Sequence, residues 1–525
     1  MKSPARKSNK SFSTTTTPTT SSSNNNKYVS NNDVKNIDYI HEEEPDIGMI
    51  TAILTYFSYA LLLSFGWIRD LFGAITGWTR YSEVKPPKGY GVLLKSWESF
   101  FTRRLYHRIQ DCWGRPICSS PSANIEVMLR ESTDGHYSFH TTGNTKKCIN
   151  VGSYNYLGFA DDWINSCGER VFNSVSKWPN SMCSSRMDGG NTILHEELED
   201  IVAKFVGKEK AVVYSMGYGT NTSTIATLMG SGCLLVSDSL NHTSIINGAR
   251  ASPAFIRVFK HNDVNNLENV LKESIINGQP KHHRPWKKIL VMVEGIYSME
   301  GSICKLAEIV KICKKYKAYI YVDEAHSIGA LGSNGKGVCE YTGVNPDEID
   351  ILMGTFTKSF SGMGGYIAAS KEIINYMKSV SPGLLYHNSL SPIVTQQIIT
   401  AFKIIQGDIG NDMGRLKLDH LKNNSNYFRN EMIKLGLHVY GDWDTPIIPV
   451  MIYFPSKLAE FSRQCLERGL AVVIVGFPAT SVVLSRARFC ISAGHTKEQL
   501  DEAIRIIADV GTLVGLKYKR NQLGY

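Results

Sequence analysis

The chain has 525 residues, 42% of them hydrophobic, enough to bury the cores of two or three domains. A net charge of +9 arises from 57 basic and 48 acidic residues. No basic cluster is interleaved with aromatics, which argues against nucleic-acid binding. The 11 cysteines are odd in number, scattered and free of Cys-x-x-Cys, which argues against a disulfide framework or a zinc site and fits a reduced compartment.

Residues 1–45 are rich in Ser, Thr and Asn with few apolar positions, the composition of a disordered tail. Lys2, Arg6, Lys7, Lys10 and Lys27, with no acid before Asp33, also resemble a mitochondrial presequence, but the apolar face of one is missing. Residues 47–68 carry no charge, and these 22 positions at helical rise just span a bilayer's hydrocarbon core. Tyr56, Phe57, Tyr59, Phe65 and Trp67, with no polar face, favour a membrane segment over a buried core helix. Hydroxyls and Gly66 weaken its hydropathy and leave open a helix lying in the membrane interface. Glu42, Glu43, Glu44 and Asp46 precede it, and Arg69, Arg80, Lys85 and Lys88 follow, which predicts that everything after it faces the cytosol.

From about residue 146, short apolar runs alternate with helical stretches. Runs at 211–215, 233–237, 255–259, 289–293, 318–322 and 351–353 are separated by enough chain for crossover helices. This pattern predicts an α/β fold on a mostly parallel sheet. The KHHRPWKK run at 281–288 is read as a solvated loop before a strand. After Pro392 come a long amphipathic stretch (396–435), strands near 447–452 and 471–475, and a closing helix from Lys497, an α+β tail. The predicted organisation is a tail (1–45), a membrane-associated or transmembrane helix (46–72), an N-terminal arm (73–145), a large domain (146–390) and a small C-terminal domain (391–525).

The chemistry concentrates in two motifs. GTFTKSFSGMGGY at 354–366 places Lys358 alone among hydroxylic and small residues. A pyridoxal 5'-phosphate (PLP) Schiff base needs such a lysine, desolvated enough to lose its proton, with Thr355, Thr357 and Ser359 able to bind a phosphate. YIYVDEAHS at 319–327 is an apolar strand ending in Asp323, with His326 close behind. An acid at a strand's carboxyl end can keep the cofactor's pyridine nitrogen protonated. Either motif alone is weak; together they point to PLP. SMGYGTN at 215–221 follows a strand and opens a helix, so it is either a phosphate-binding helix N-terminus or a plain turn. His242, in DSLNHTS at 238–244, either stacks on a planar ring or is solvated. Asn155, in SYNYLG at 153–158, either binds a carboxylate or caps a turn.

In this order the pieces resemble the α-oxoamine synthase family of fold-type I PLP enzymes, from roughly Tyr90 to the C-terminus. The stretches LTYFSY (54–59), FTRRLY (101–106), DCWGRPIC (111–118), KSFSGMGGYIA (358–368) and RARFCISAGHT (486–496) resemble its serine-using, membrane-bound members. The resemblance implies that Lys358 attaches PLP, Asp323 partners the pyridine nitrogen, His326 sits near the ring hydroxyl and His242 stacks on the ring. It further implies that Gly217, Tyr218, Thr355 and Thr357 hold the phosphate. Arg488, with Asn155, would hold the substrate carboxylate; Arg486 is the competitor, two residues away on the same strand face. The implied reaction condenses L-serine with palmitoyl-CoA, giving 3-oxosphinganine, CoA and CO2, the first step of sphingolipid synthesis. The implied setting is a heterodimer with a lysine-less relative at the endoplasmic reticulum membrane, without a metal. Ser361-Gly362-Met363 departs from the family's small residues there, and Gly494 from its usual alanine. An aminolevulinate synthase, a non-enzymatic scaffold subunit and a structural membrane protein are the competing readings.

Overall fold

The computed structural model describes residues 47–76, 87–91, 96–161 and 163–516; the N-terminal tail and part of the basic flank after the apolar segment lie outside them. Helix α1 spans Met49–Thr76. It continues past the expected end of the apolar segment, through an exposed Arg69 and through Asp70, whose charge is paired. Asp70 accepts hydrogen bonds from Arg103 (3.1 Å) and Arg104 (Nε, 2.6 Å) of helix α2, Ser96–Arg104. One turn earlier Trp67 stacks on Phe100 with ring centroids 4.7 Å apart. A Cβ on Gly66 would stand 2.8 Å from Phe100, so the glycine that lowers the hydropathy is also what seats α2. The rest of α1 is open: only 11% of its most apolar window is buried, which removes the buried-core reading of this helix. By length and composition the stretch Met49–Gly73 is able to cross a membrane.

Strands β1 (Asn124–Glu131) and β2 (His140–Asn150) form an antiparallel pair joined in parallel by β11 (Leu470–Ala471). The main sheet has seven strands: β3 (Lys210–Tyr214), β4 (Leu234–Asp238), β5 (Phe255–Phe259), β6 (Ile289–Glu294), β7 (Tyr319–Asp323), β8 (Ile351–Thr355) and β9 (Gly365–Ala369). Their order is β3-β9-β8-β7-β6-β4-β5, parallel except for β9, which runs antiparallel to both β3 and β8. The inner strands β4, β6, β8 and β9 are buried at every residue. Helices cover both faces of a parallel sheet, which is why these strands read as continuous apolar runs rather than alternating ones.

A second core forms around β10 (Ile447–Met451), β12 (Val473–Val475) and β13 (Arg486–Cys490), a three-stranded antiparallel sheet. Phe428, Phe461, Phe489 and Ile507 fill it, supplied by that sheet and by the helices Met413–Lys434, Pro455–Glu467 and Lys497–Val514. The expected long amphipathic stretch is two helices, Pro392–Gln406 and Met413–Lys434. The first ends at Gly407, whose φ of 80° closes a helix but does not extend one. The expected α/β fold on a mostly parallel sheet is thus present, with one N-terminal apolar helix appended among the described residues.

Candidate active site

Parallel strands deliver their carboxyl ends to one side of the sheet, and here those ends carry the acids. Glu294 ends β6 and Asp323 ends β7, and the two are register partners on neighbouring strands. Lys358 follows β8 by three residues. A cavity of about 300 Å³ opens between them, lined by Gly217, Tyr218, His242, Asp323, His326, Thr355, Thr357 and Lys358 together with Asn221, Ser244 and Glu294. Residues from five separate stretches of sequence thus converge on one chamber.

Burial pulls the Lys358 amine down to about 8, since a low-dielectric surround disfavours the ammonium form. Asp323 and Glu294 oppose that effect and Arg488 adds to it. Asp323 is almost fully buried and accepts two hydrogen bonds, from the Asn221 amide (2.7 Å) and the Ala325 backbone (2.9 Å). Asn221 is itself fixed: its Oδ1 accepts from the Tyr321 hydroxyl (2.7 Å) and its Nδ2 also donates to Ser244 (2.9 Å). Glu294 accepts from the His242 backbone N–H, and burial beside Asp323 pushes its carboxyl well above the ordinary range. Burial beside another carboxyl thus disfavours a second negative charge at Glu294.

His242 caps the helix Thr243–Ala251, its Nδ1 accepting from the Ser244 backbone (3.2 Å) and lying 2.7 Å from the Ser244 hydroxyl. With Nδ1 used as an acceptor, the proton sits on Nε2. Burial and Lys358 hold this imidazole below its usual range, against the pull of Asp323. His326 is buried, bonded through Nδ1 to the Tyr156 hydroxyl (2.7 Å), and pushed far below its usual range by burial and the nearby cations.

On the opposite wall, the helix Gly217–Leu228 starts against β8. A Cβ at Gly217 would fall 2.7 Å from Thr355 Oγ1, so only glycine allows the helix N-terminus this close to the strand end. First-turn amides have no intrahelical acceptor, and the Thr355 and Thr357 hydroxyls lie 2.9 Å apart beside them. This wall presents hydroxyl and backbone N–H donors of the kind that can hold a phosphate. Met363 points away, with more than half of its side chain exposed and no part in the cavity. Ser361 has φ 49°, a conformation glycine adopts more readily, which accounts for the small residue expected there.

Arg488, on β13, does not line the cavity but shares the ring of Tyr154 with Lys358. Its guanidinium lies 4.8 Å from the centre of that ring, and Lys358 Nζ lies 5.6 Å from the same centre. Arg488 is buried, and its Nε has no hydrogen-bond acceptor. Arg486 is committed elsewhere, to Glu300 (3.4 Å) and the Met299 carbonyl (2.9 Å). Asn155 does not line the chamber. Its Nδ2 donates to Asp161 (2.8 Å) and to the Pro121 carbonyl (3.3 Å), and its Oδ1 accepts from Ala160, so the turn-capping reading describes it. Tyr154, Glu294 and Asn221 were not expected from the sequence. Glu294 had the same signature as Asp323, an acid one residue beyond an apolar run. Among the described residues no His, Cys, Asp and Glu cluster suits a metal.

A family model described as aminotransferase class I and II matches residues 146–507. The chain is 54% identical over 471 residues to long chain base biosynthesis protein 2d of Oryza sativa subsp. japonica, covering 89% of this chain and 95% of that one. It is 45% identical over 493 residues to serine palmitoyltransferase 2 of Dictyostelium discoideum, covering 93% and 98% of the two chains. A solved serine palmitoyltransferase with its PLP internal aldimine has a TM-score of 0.70 at 28% identity, over 80% of this chain and 100% of that one.

Proposed function

The chain belongs to the aminotransferase class I and II family and, within it, to the group of the long chain base biosynthesis 2 proteins and serine palmitoyltransferases, and from that premise we propose that it is a serine C-palmitoyltransferase catalytic subunit. It condenses L-serine with palmitoyl-CoA to 3-oxosphinganine, releasing CoA and CO2. The observation that carries the reading is a lysine amine brought near neutrality in the same chamber as a buried, doubly hydrogen-bonded aspartate. Lys358, Asp323, His242, His326 and the Gly217, Tyr218, Thr355 and Thr357 wall would hold PLP. When bound, PLP supplies an aldehyde that condenses with amines and a protonated pyridine that accepts the electron pair of a broken Cα bond.

The chain's own residues do the rest. With its pKa drawn down to about 8, the Lys358 amine has a neutral form accessible near physiological pH, able to act as nucleophile and as the base that takes the serine Cα proton. Arg488 holds the serine carboxylate until the Cα–carboxyl bond breaks and CO2 leaves; the new Cα–acyl bond forms as the thioester C–S bond breaks. His242, neutral and fixed as the Nε2–H tautomer, presents a flat ring to a planar group.

Two expectations follow for experiment. Capture of PLP by the cofactor-free protein requires the neutral amine. Its rate is expected to rise about tenfold per pH unit below pH 8 and to level off above it; a rate flat from pH 6 to 9 would contradict the depressed amine. Arg488→Lys is expected to weaken serine binding by at least about tenfold, since a point charge cannot reproduce a two-pronged grip on a carboxylate. Calorimetric titration with L-serine decides it, and unchanged affinity would remove Arg488 from the substrate site.

The same reading includes a lysine-less partner subunit and attachment to the endoplasmic reticulum membrane with the catalytic part cytosolic. The exposed apolar face of α1, with Arg69 following it, supports the membrane. Met216 and Tyr218, exposed at the chamber, Met363, exposed five residues after Lys358, and Tyr386, exposed in the segment 386–392, supply apolar surface for a partner to cover.

A further inference from the structure

Arg486 and Arg488 stand two residues apart on β13 and so project from one face of the strand. Both reach the same residue, Met299, in the turn that follows β6. Arg486 Nη1 donates to the Met299 carbonyl at 2.9 Å, and Arg488 Nη1 meets the Met299 thioether at 3.6 Å. Here the likeness ends. Arg486 pairs with Glu300 (3.4 Å) and donates from Nε to the Leu484 carbonyl (2.9 Å). Arg488 has no carboxylate within ion-pair reach among the described residues. One acid pairs one arginine; the other is buried against the Tyr154 and Cys490 side chains and the Met299 thioether, with no carboxylate of its own.

The turn that supplies Met299 and Glu300 is itself fastened on both sides. Ser302 Oγ lies 2.8 Å from His261 Nε2, and His261 Nδ1 lies 3.1 Å from Asp238 at the end of β4. On the other side the Gly301 carbonyl accepts from the Asp442 backbone (3.0 Å), and Asp442 Oδ2 accepts from the Ile303 backbone (2.7 Å). A Cβ on Gly301 would lie 2.5 Å from the Ile447 carbonyl, so the turn touches β10 backbone directly. The turn is thus a rigid brace between the large sheet and the small one.

We propose that Arg486 and Glu300 are positioning residues for carboxylate recognition: they lock Met299 in place, and Met299 aims the Arg488 guanidinium. A fork of donors holds a carboxylate only when its angle is fixed to within roughly 10–20°. Glu300 has a second effect. It keeps Arg486 from competing for the substrate carboxylate, because a buried guanidinium without a partner would seek one. The inference rests on Arg488 being the carboxylate receptor.

The test uses the PLP-loaded, partner-bound enzyme and compares Arg486→Lys, Met299→Leu and Arg488→Lys with the native chain. Serine affinity is read by calorimetry, with the KM for palmitoyl-CoA and the thermal midpoint measured alongside. Arg486→Lys is expected to weaken serine binding about tenfold and Met299→Leu about threefold, with kcat, the palmitoyl-CoA KM and the midpoint retained. Met299→Leu keeps the side-chain volume and carries the test if Arg486→Lys fails to fold. Native serine affinity in both variants would overturn the proposal. So would a serine loss matched by equal losses in palmitoyl-CoA KM and midpoint, the pattern of general loosening. If Arg488→Lys binds serine as the native chain does, the receptor assignment itself falls, a result distinct from failure of the two brace variants alone.

Discussion

Replacing Lys358 with alanine is expected to abolish turnover, by at least about a thousandfold, while leaving the fold intact. In the proposed reaction the side chain has two tasks that no neighbour can assume: attaching the cofactor and moving the serine Cα proton. The remaining titratable groups around it are unsuited to replace it. Glu294 is a buried carboxyl held well above its ordinary range, and His326 is a buried imidazole bonded to Tyr156. The fold should survive because Lys358 makes no salt bridge among the described residues; its contact is the ring of Tyr154. Removing a partly desolvated amine also removes a desolvation cost. Circular dichroism and thermal midpoint check the fold, and product formation checks the chemistry. Turnover within tenfold of native would move the catalytic lysine elsewhere.

Asp323→Asn is expected to cut turnover by at least about a hundredfold with the PLP phosphate site intact. The reason is in the hydrogen bonds. Asn221 and the Ala325 backbone both donate to Asp323, so the carboxylate accepts from two N–H groups and keeps lone pairs for the chamber. The two donors reach different oxygens, Asn221 at Oδ2 and Ala325 at Oδ1, so an amide can accept only one of them, sets its NH2 against the other, and brings no negative charge to hold a pyridinium. The packing cost is small, since the two side chains are isosteric. Cofactor content measured after denaturation separates loss of binding from loss of activity. Near-native turnover with full cofactor content would make Asp323 a structural residue.

The inner strands were legible because they are buried on both faces, so the apolar runs at 289–293 and 351–353 match β6 and β8 to within a few residues; edge strand β5, exposed at four of its five residues, was legible from its aromatic and β-branched residues at 255–259. Strand β9 was not. Its sequence, Gly-Tyr-Ile-Ala-Ala, sits inside the motif that marks the lysine, and its pairing with β3 comes from the tertiary fold, not from local preference. The β1–β2 pair was missed for a different reason: β2 is largely polar and exposed along its length, with no periodic apolar signal. Lys358 and Asp323 could be found because each chemistry leaves a local mark, one lysine among hydroxyls and one acid after an apolar strand. Tyr154 could not, since its role depends on two cations brought from residues 358 and 488. The choice between Arg486 and Arg488 also needed the structure: only the fold shows that Glu300 faces one of them and that the other, among the described residues, has no carboxylate of its own.

The most direct test of the account is to supply the purified, PLP-loaded enzyme with carboxyl-labelled L-serine and palmitoyl-CoA and to count labelled CO2 against long-chain product by mass. The account predicts one CO2 for each molecule of 3-oxosphinganine, dependent on palmitoyl-CoA and lost in Lys358→Ala. Label retained in the product, or faster turnover with glycine and succinyl-CoA than with serine and palmitoyl-CoA, would contradict it.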